Sequence, residues 1–184
     1  MGLTIEGGTG NGYSAGVTSE NRLLTDCVTK SIEHQTNHTD GKSFSIPFSA
    51  TPTASGDCFF LMKNEDDLDI VIEGVNLYLP AAEYFDIKIG DTGTPIDGTD
   101  ITPVNLNAGS GILADGTFQQ GNNITGLSGG STAYRIHKLA GTGTENHNFE
   151  QDIILPKNTV LTMYVQTGTT ALDGFIDFYY HDEG

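Results

Sequence analysis

Gly, Thr, Asn, Asp or Pro interrupt this chain roughly every ten residues, and no stretch between the breaks carries a helical stripe. A core-facing helix needs apolar residues every third or fourth position over several turns. The apolar residues here recur with period two instead, the spacing of a strand with one buried face. "SFSIPFSA" sets Phe44, Ile46 and Phe48 between polar neighbours, and "CFFLMKN" is a denser apolar run ending at the acidic turn Glu65-Asp66-Asp67. In "LDIVIEGVNLYLP" the alternation of Ile70 and Ile72 shifts phase before Val75, Leu77 and Leu79. A bulge at Glu73-Gly74 accounts for that shift. "EYFDIKIGD" alternates again through Phe85, Ile87 and Ile89, and "STAYRIHKL", "FEQDIILP", "TVLTMYVQT" and "GFIDFYYHD" repeat the habit. In the last of these, Phe175, Asp177 and Tyr179 share one face and Ile176, Phe178 and Tyr180 the other. Short strands at this spacing, with no helices between them, predict an all-β fold: an antiparallel β-sandwich, jelly-roll-like.

Two segments depart from the rhythm. Residues 1–41 are polar, carry few large side chains and have too little apolar surface for a core, so they read as an extended N-terminal arm. The sandwich is then expected over residues 42–184, a length sufficient for one ordinary domain. Within it, residues 91–131 are rich in Gly, Thr, Asn and Asp around short apolar pieces such as "ILADGTF", and read as a long loop. A connection of that length in a compact domain is a functional element or an oligomer contact.

Charge narrows the partners. The 24 Asp plus Glu against 8 Lys plus Arg give a net charge of −16. Nucleic-acid affinity comes from cationic side chains that displace counterions, so no nucleic acid is expected as a ligand. An anionic membrane is disfavoured for the same reason. No signal-peptide pattern opens the sequence, no apolar run has the length of a spanning helix, and Glu6 stands where a myristoylation site wants Ser or Thr. With only Cys27 and Cys58, the expectation is two buried free thiols rather than a disulfide framework.

Motifs that carry chemistry are weak. Gly10, Gly12 and Ala15 fit the G-x-G-x-x-G/A spacing of a dinucleotide loop. That loop must open a helix and be followed by an acid about 20 residues on, and neither condition is met here. His34 and His38 are four apart, yet the segment between them is a poor helix and lacks further zinc ligands. They read as solvent-facing or subunit-contact histidines. "NEDDLD" and "DTGTPIDGTD" are acid-rich without matching a calcium loop, and read as charged turns that keep strand ends soluble. No Ser or Cys stands in a recognisable activating context. The expectation is a protein that is not an enzyme and holds no cofactor or metal.

The opening "EGGTGNGYSAGVTSENRLLTDCVTKSIEHQTNHTDGKSFSI" resembles the start of a group of tailed-bacteriophage virion structural proteins, in its pieces Ala15 to Leu24, Val28 to His38 and Gly41 to Ile46. "FFLMKNEDDLDIVIEGVNLYL" and "IILPKNTVLTMYV" look similar to paired strands of the same proteins. The resemblance implies a capsid decoration (cement) protein on the phage head exterior, binding the major capsid protein as a homotrimer. Tyr13, Val17, Asn21, Arg22, Leu23, Leu24, His34 and His38 of the arm are then the expected partner-binding residues, with Arg22 pairing to a partner carboxylate. The competing expectation is a tail or fibre-associated module that recognises a host-surface glycan through residues 91–131.

Overall fold

In the computed structural model the chain divides into two units, residues 1–31 and 32–184. The structure describes residues 4–6, 12–14, 35–139, 143–168 and 170–181. In the first unit β1 (Thr4–Glu6) and β2 (Gly12–Ser14) pair antiparallel, with Ile5 opposite Tyr13. The segment expected as an extended arm therefore contains a two-stranded pairing. Gly12, one of the glycines with dinucleotide spacing, is the first residue of β2.

The second unit enters through one π-helical turn, Thr36–Asp40, closed by Gly41 at φ 62°. β3 (Ser43–Ala50), β4 (Cys58–Asn64), β5 (Asp69–Leu79) and β6 (Glu83–Ile89) follow. An excursion then carries β7 (Thr92–Ile96), β8 (Thr99–Asp100), β9 (Val104–Asn105), β10 (Gly116–Gln120) and β11 (Thr125–Ser128). β12 (Ser131–Lys138), β13 (Gly143–Leu155), β14 (Val160–Val165) and β15 (Leu172–His181) return to the body of the fold. One sheet runs β13-β5-β15-β3-β9 and the other β12-β6-β14-β4-β10-β8. All pairings are antiparallel, and the two sheets pack face to face as a β-sandwich. From β3 to β6, and again from β12 to β15, the chain changes sheet at every step.

The period-two pattern explains which side chains meet between the sheets. Phe44, Ile46 and Phe48 of β3 face inward, as do Ile176, Phe178 and Tyr180 of β15. On β5 the expected bulge is present. Asp177 pairs with Gly74 but Phe178 pairs with Ile72, which leaves Glu73 as the extra residue. That one residue lets Ile70 and Ile72 share the core with Val75, Leu77 and Leu79 despite their phase shift. β4 reads as an unbroken apolar run because both of its faces are covered. Phe60 and Met62 join the inter-sheet core, whereas Cys58 and Leu61 pack with Ile124 in a second, smaller cluster.

The region read as a long loop carries five short strands, and its pieces brace the sandwich. β9 extends the first sheet beside β3, and β10 extends the second beside β4. β7 and β11 form a separate two-stranded sheet, and Leu127 of β11 packs with Ile124 against the Cys58–Leu61 cluster on β4. These strands are two to five residues long, and β7, β10 and β11 each contain a glycine. Their geometry depends on those glycines: a Cβ on Gly93 would stand 2.1 Å from the Gly126 carbonyl oxygen. Extra strands on both sheets also shield edges that would otherwise template aggregation.

The Phe178 ring stacks on Phe44 at 5.4 Å and on Phe118 at 5.8 Å, linking β15, β3 and β10. Phe178→Ala is expected to cost about 3–5 kcal/mol of stability. Urea unfolding of the variant checks this, and a loss below about 1 kcal/mol would contradict the seam.

Candidate partner-binding surface

The expected contact residues fall into different parts of the molecule. Tyr13 lies on β2 of the first unit. Val17, Asn21, Arg22, Leu23, Leu24 and His34 lie outside the described residues, as does Cys27. His38 sits exposed in the π-helical turn at the entrance to the sandwich.

That turn is held from one side by the segment between β9 and β10. Asn107 Nδ2 donates to the Asn37 carbonyl at 2.9 Å. Asn105 Nδ2 at 2.7 Å and Ser110 Oγ at 3.0 Å both donate to the Gly41 carbonyl. Gly41 is required for this approach, since a Cβ there would lie 2.4 Å from Ser110 Cβ. The segment also braces itself: Asn105 Nδ2 donates to the Ile112 carbonyl at 2.9 Å, and Asn105 Oδ1 accepts from the Asn107 amide at 2.8 Å. Its polar side chains are thus turned to internal bonds while its large apolar ones face water. Leu113 is 81% exposed, Val104 56% and Leu106 49%, with Ile112 also exposed. The sequence signal was the apolar pair Ile112-Leu113 inside a polar, glycine-rich stretch. Singling out the arm passed over it.

Elsewhere, buried carboxylates act as clamps for backbone turns. Asp57 Oδ2 accepts from Thr53 N, Thr53 Oγ1 and Ala54 N at 2.8, 2.9 and 2.8 Å. Glu83 Oε1 accepts from Thr167 N at 2.7 Å and Tyr84 N at 2.8 Å. Asp91, expected as a soluble turn residue, is buried at the base of β7. Its Oδ1 accepts from Gly130 N at 2.8 Å, and its Oδ2 from Thr162 Oγ1 at 2.6 Å and Tyr164 Oη at 2.9 Å. Asp91 therefore ties both ends of the β7–β11 excursion to β14. Burial pushes its carboxyl pKa up, but the bonds from Thr162, Gly130 and Tyr164 together hold it below the ordinary value. Burial likewise drives Tyr164 upward, keeping it a protonated donor.

The outward side of the second sheet carries the cationic groups. Arg135 pairs with Asp86 through Nε–Oδ1 at 2.6 Å and Nη2–Oδ2 at 2.7 Å, and that bond keeps the Asp86 carboxyl below its usual range. Tyr84 stacks on His137 at 4.1 Å, and Lys88 Nζ sits 3.9 Å above the Tyr164 ring. Cys58 is fully buried, and desolvation lifts its thiol to about 12, so it stays a thiol at neutral pH. Among the described residues no group of three or more His, Cys, Asp or Glu is placed to hold a metal ion. None of the protein-family models, curated proteins or solved structures compared with this chain matches it.

Asp91→Asn replaces an anionic acceptor with a weaker one, and a loss of about 1–3 kcal/mol at pH 7 is expected. The folded-state pKa of Asp91 is depressed, so its contribution is present above the unfolded value of about 3.9 and is lost as pH falls through the folded one. Denaturant midpoints of variant and wild type should therefore differ at neutral pH and converge as the pH becomes acidic; a gap independent of pH would contradict the assignment. Cys58 should also resist alkylation in the native protein and react after unfolding. Peptide mapping by mass spectrometry separates it from Cys27, and native labelling of Cys58 would show that the cluster over β4 opens readily.

Proposed function

We propose that this chain is a non-enzymatic virion structural protein of a tailed phage, a decoration protein that lies on the head exterior and holds neighbouring major capsid subunits together as a trimer. The observation that carries the reading is the 104–113 segment, which bonds its polar side chains inward and exposes Val104, Leu106, Ile112 and Leu113. Isolated exposed apolar residues are ordinary, but four in one internally braced loop mark a surface shaped for a partner. The same loop grips the turn at 36–42, where the sequence resembling virion proteins joins the sandwich.

The strand order supports the same setting. The order β13-β5-β15-β3 in one sheet and β12-β6-β14-β4 in the other, with the chain crossing between them, supports a jelly-roll reading of the sandwich. Jelly rolls build viral capsid and lectin domains. Fold alone assigns no function, so the surface carries the argument and the fold provides the scaffold. Segments 1–41 laid along a neighbour add main-chain hydrogen bonds over a long path, and a lattice of repeated sites multiplies weak contacts into avidity. A net charge of −16 keeps a particle coated with many copies soluble.

The test is binding of purified protein to phage heads that lack it, followed by co-sedimentation. Wild-type protein should bind and raise the temperature at which heads open. A Leu106→Asp, Leu113→Asp double variant should retain its thermal transition and lose about thirtyfold or more in affinity, the scale of interface hot spots. Failure of the wild type to bind heads, or full affinity in the double variant, would overturn the proposal.

A further inference from the structure

The outward face of the first sheet carries a depression remote in character from the apolar loop. Strand register places Phe175 of β15 opposite Pro47 on β3 and Asn76 on β5, and Asn76 opposite Asn146 on β13. In the next row Gly74 stands opposite both Asp177 of β15 and Asn148 of β13. Because Gly74 has no side chain, that grid position is a hole. The depression measures about 210 Å³ and is lined by Gly74, Asn76, Asn146, Asn148, Phe175 and Asp177, together with Glu73 and Val75. The glycine is imposed by the fold, since a Cβ there would lie 2.7 Å from the His147 carbonyl oxygen.

The groups around the hole are open for bonding. Among the described residues, Asn76, Asn146 and Asp177 make no side-chain hydrogen bond. Asn148 Oδ1 is taken by the Glu150 amide at 2.7 Å, which leaves its Nδ2 hydrogens as donors. Phe175 is 39% exposed beside them. Amides both donate and accept, and a carboxylate accepts only. An apolar ligand would strip water from these groups and leave them unpaired. An anionic ligand would meet Asp177 and Glu73 and, two rows from Asp177 along β15, Asp173. A ligand with one apolar ring face and hydroxyls that donate as well as accept satisfies the whole set.

We infer that this sheet face binds a neutral saccharide. Phe175 is the platform under the C–H face of a pyranose ring, Asn76, Asn146 and Asn148 bond its hydroxyls, and Asp177 accepts from one of them. This site stands on a different face and a different chemistry from the proposed capsid contact, and neither requires the other.

The test is two-dimensional amide NMR of the full-length protein titrated with maltohexaose, cellohexaose, mannohexaose and chitohexaose. Each sugar is taken to about 10 mM, roughly tenfold above a millimolar Kd. At least one should shift the side-chain N–H signals of Asn76 and Asn146 saturably. Phe175→Ala should weaken that sugar about tenfold or more, equivalent to roughly 1.4 kcal/mol. Asn146→Ala, at an exposed position, gives a second variant with the same expected direction, and Ile96→Ser, on the separate β7–β11 sheet, should leave the affinity unchanged. Absence of a saturable shift with all four sugars would overturn the inference. So would shifts that survive both the Phe175 and Asn146 substitutions, or equal binding of an acidic oligosaccharide such as a hyaluronan hexamer.

Discussion

A seam of aromatic rings between two sheets is what the rest of the second unit depends on. Phe44, Phe178 and Tyr180 pack against one another, Phe118 stacks on Phe178, and Phe48 meets Phe59 and Phe60 across the gap between sheets. A fold with almost no helix has no other place to bury its apolar surface. Each ring removes a large area from water, about 1.5–3 kcal/mol per fully buried phenylalanine. Strand alternation decides which rings reach the seam, so the bulge at Glu73 is a requirement of packing. Without it either Ile70 and Ile72 or Val75, Leu77 and Leu79 would turn to solvent.

Around that seam the polar residues act chiefly as fasteners. A strongly acidic chain has an obvious difficulty with buried carboxylates, yet Asp57, Glu83, Asp86 and Asp91 are all buried. Each is matched to donors, from backbone amides and hydroxyls or from Arg135. Desolvation is offset by these hydrogen bonds, which hold the Asp86 and Asp91 carboxyls below their usual range. The excursion between β6 and β12 shows what this achieves. Asp91 fixes its ends, β9 and β10 join it to both sheets, and the remaining segment is free to hold apolar side chains outward.

Much of the framework was legible in the sequence. Alternation in "SFSIPFSA", "EYFDIKIGD" and "GFIDFYYHD" marked β3, β6 and β15 with their inward faces, and the phase shift at Glu73-Gly74 marked the bulge. The reason is that long strands with one buried face write their burial directly into period two. The short strands of residues 91–131 escaped because two to five residues leave no period to read. Asp91 was misjudged as a soluble turn because its partners, Thr162 and Tyr164, lie far along the chain. The saccharide face escaped for a related reason: Asn76, Asn146 and Phe175 come from three strands, and only register brings them into one row.

The place of β15 has a consequence for how the protein is made. It is the last strand of the sandwich in sequence and yet lies between β5 and β3, near the middle of its sheet. Until it arrives, β3 has no partner on that side, and the inner ring of Phe178 is missing from the seam. A ribosome adds roughly 5–20 residues per second, so early strands wait for seconds with unsatisfied edges. Folding of the sandwich therefore waits for β15 rather than proceeding strand by strand. Such long-range pairing makes for slow folding, and the acidic composition that serves the finished protein also keeps its waiting intermediates apart.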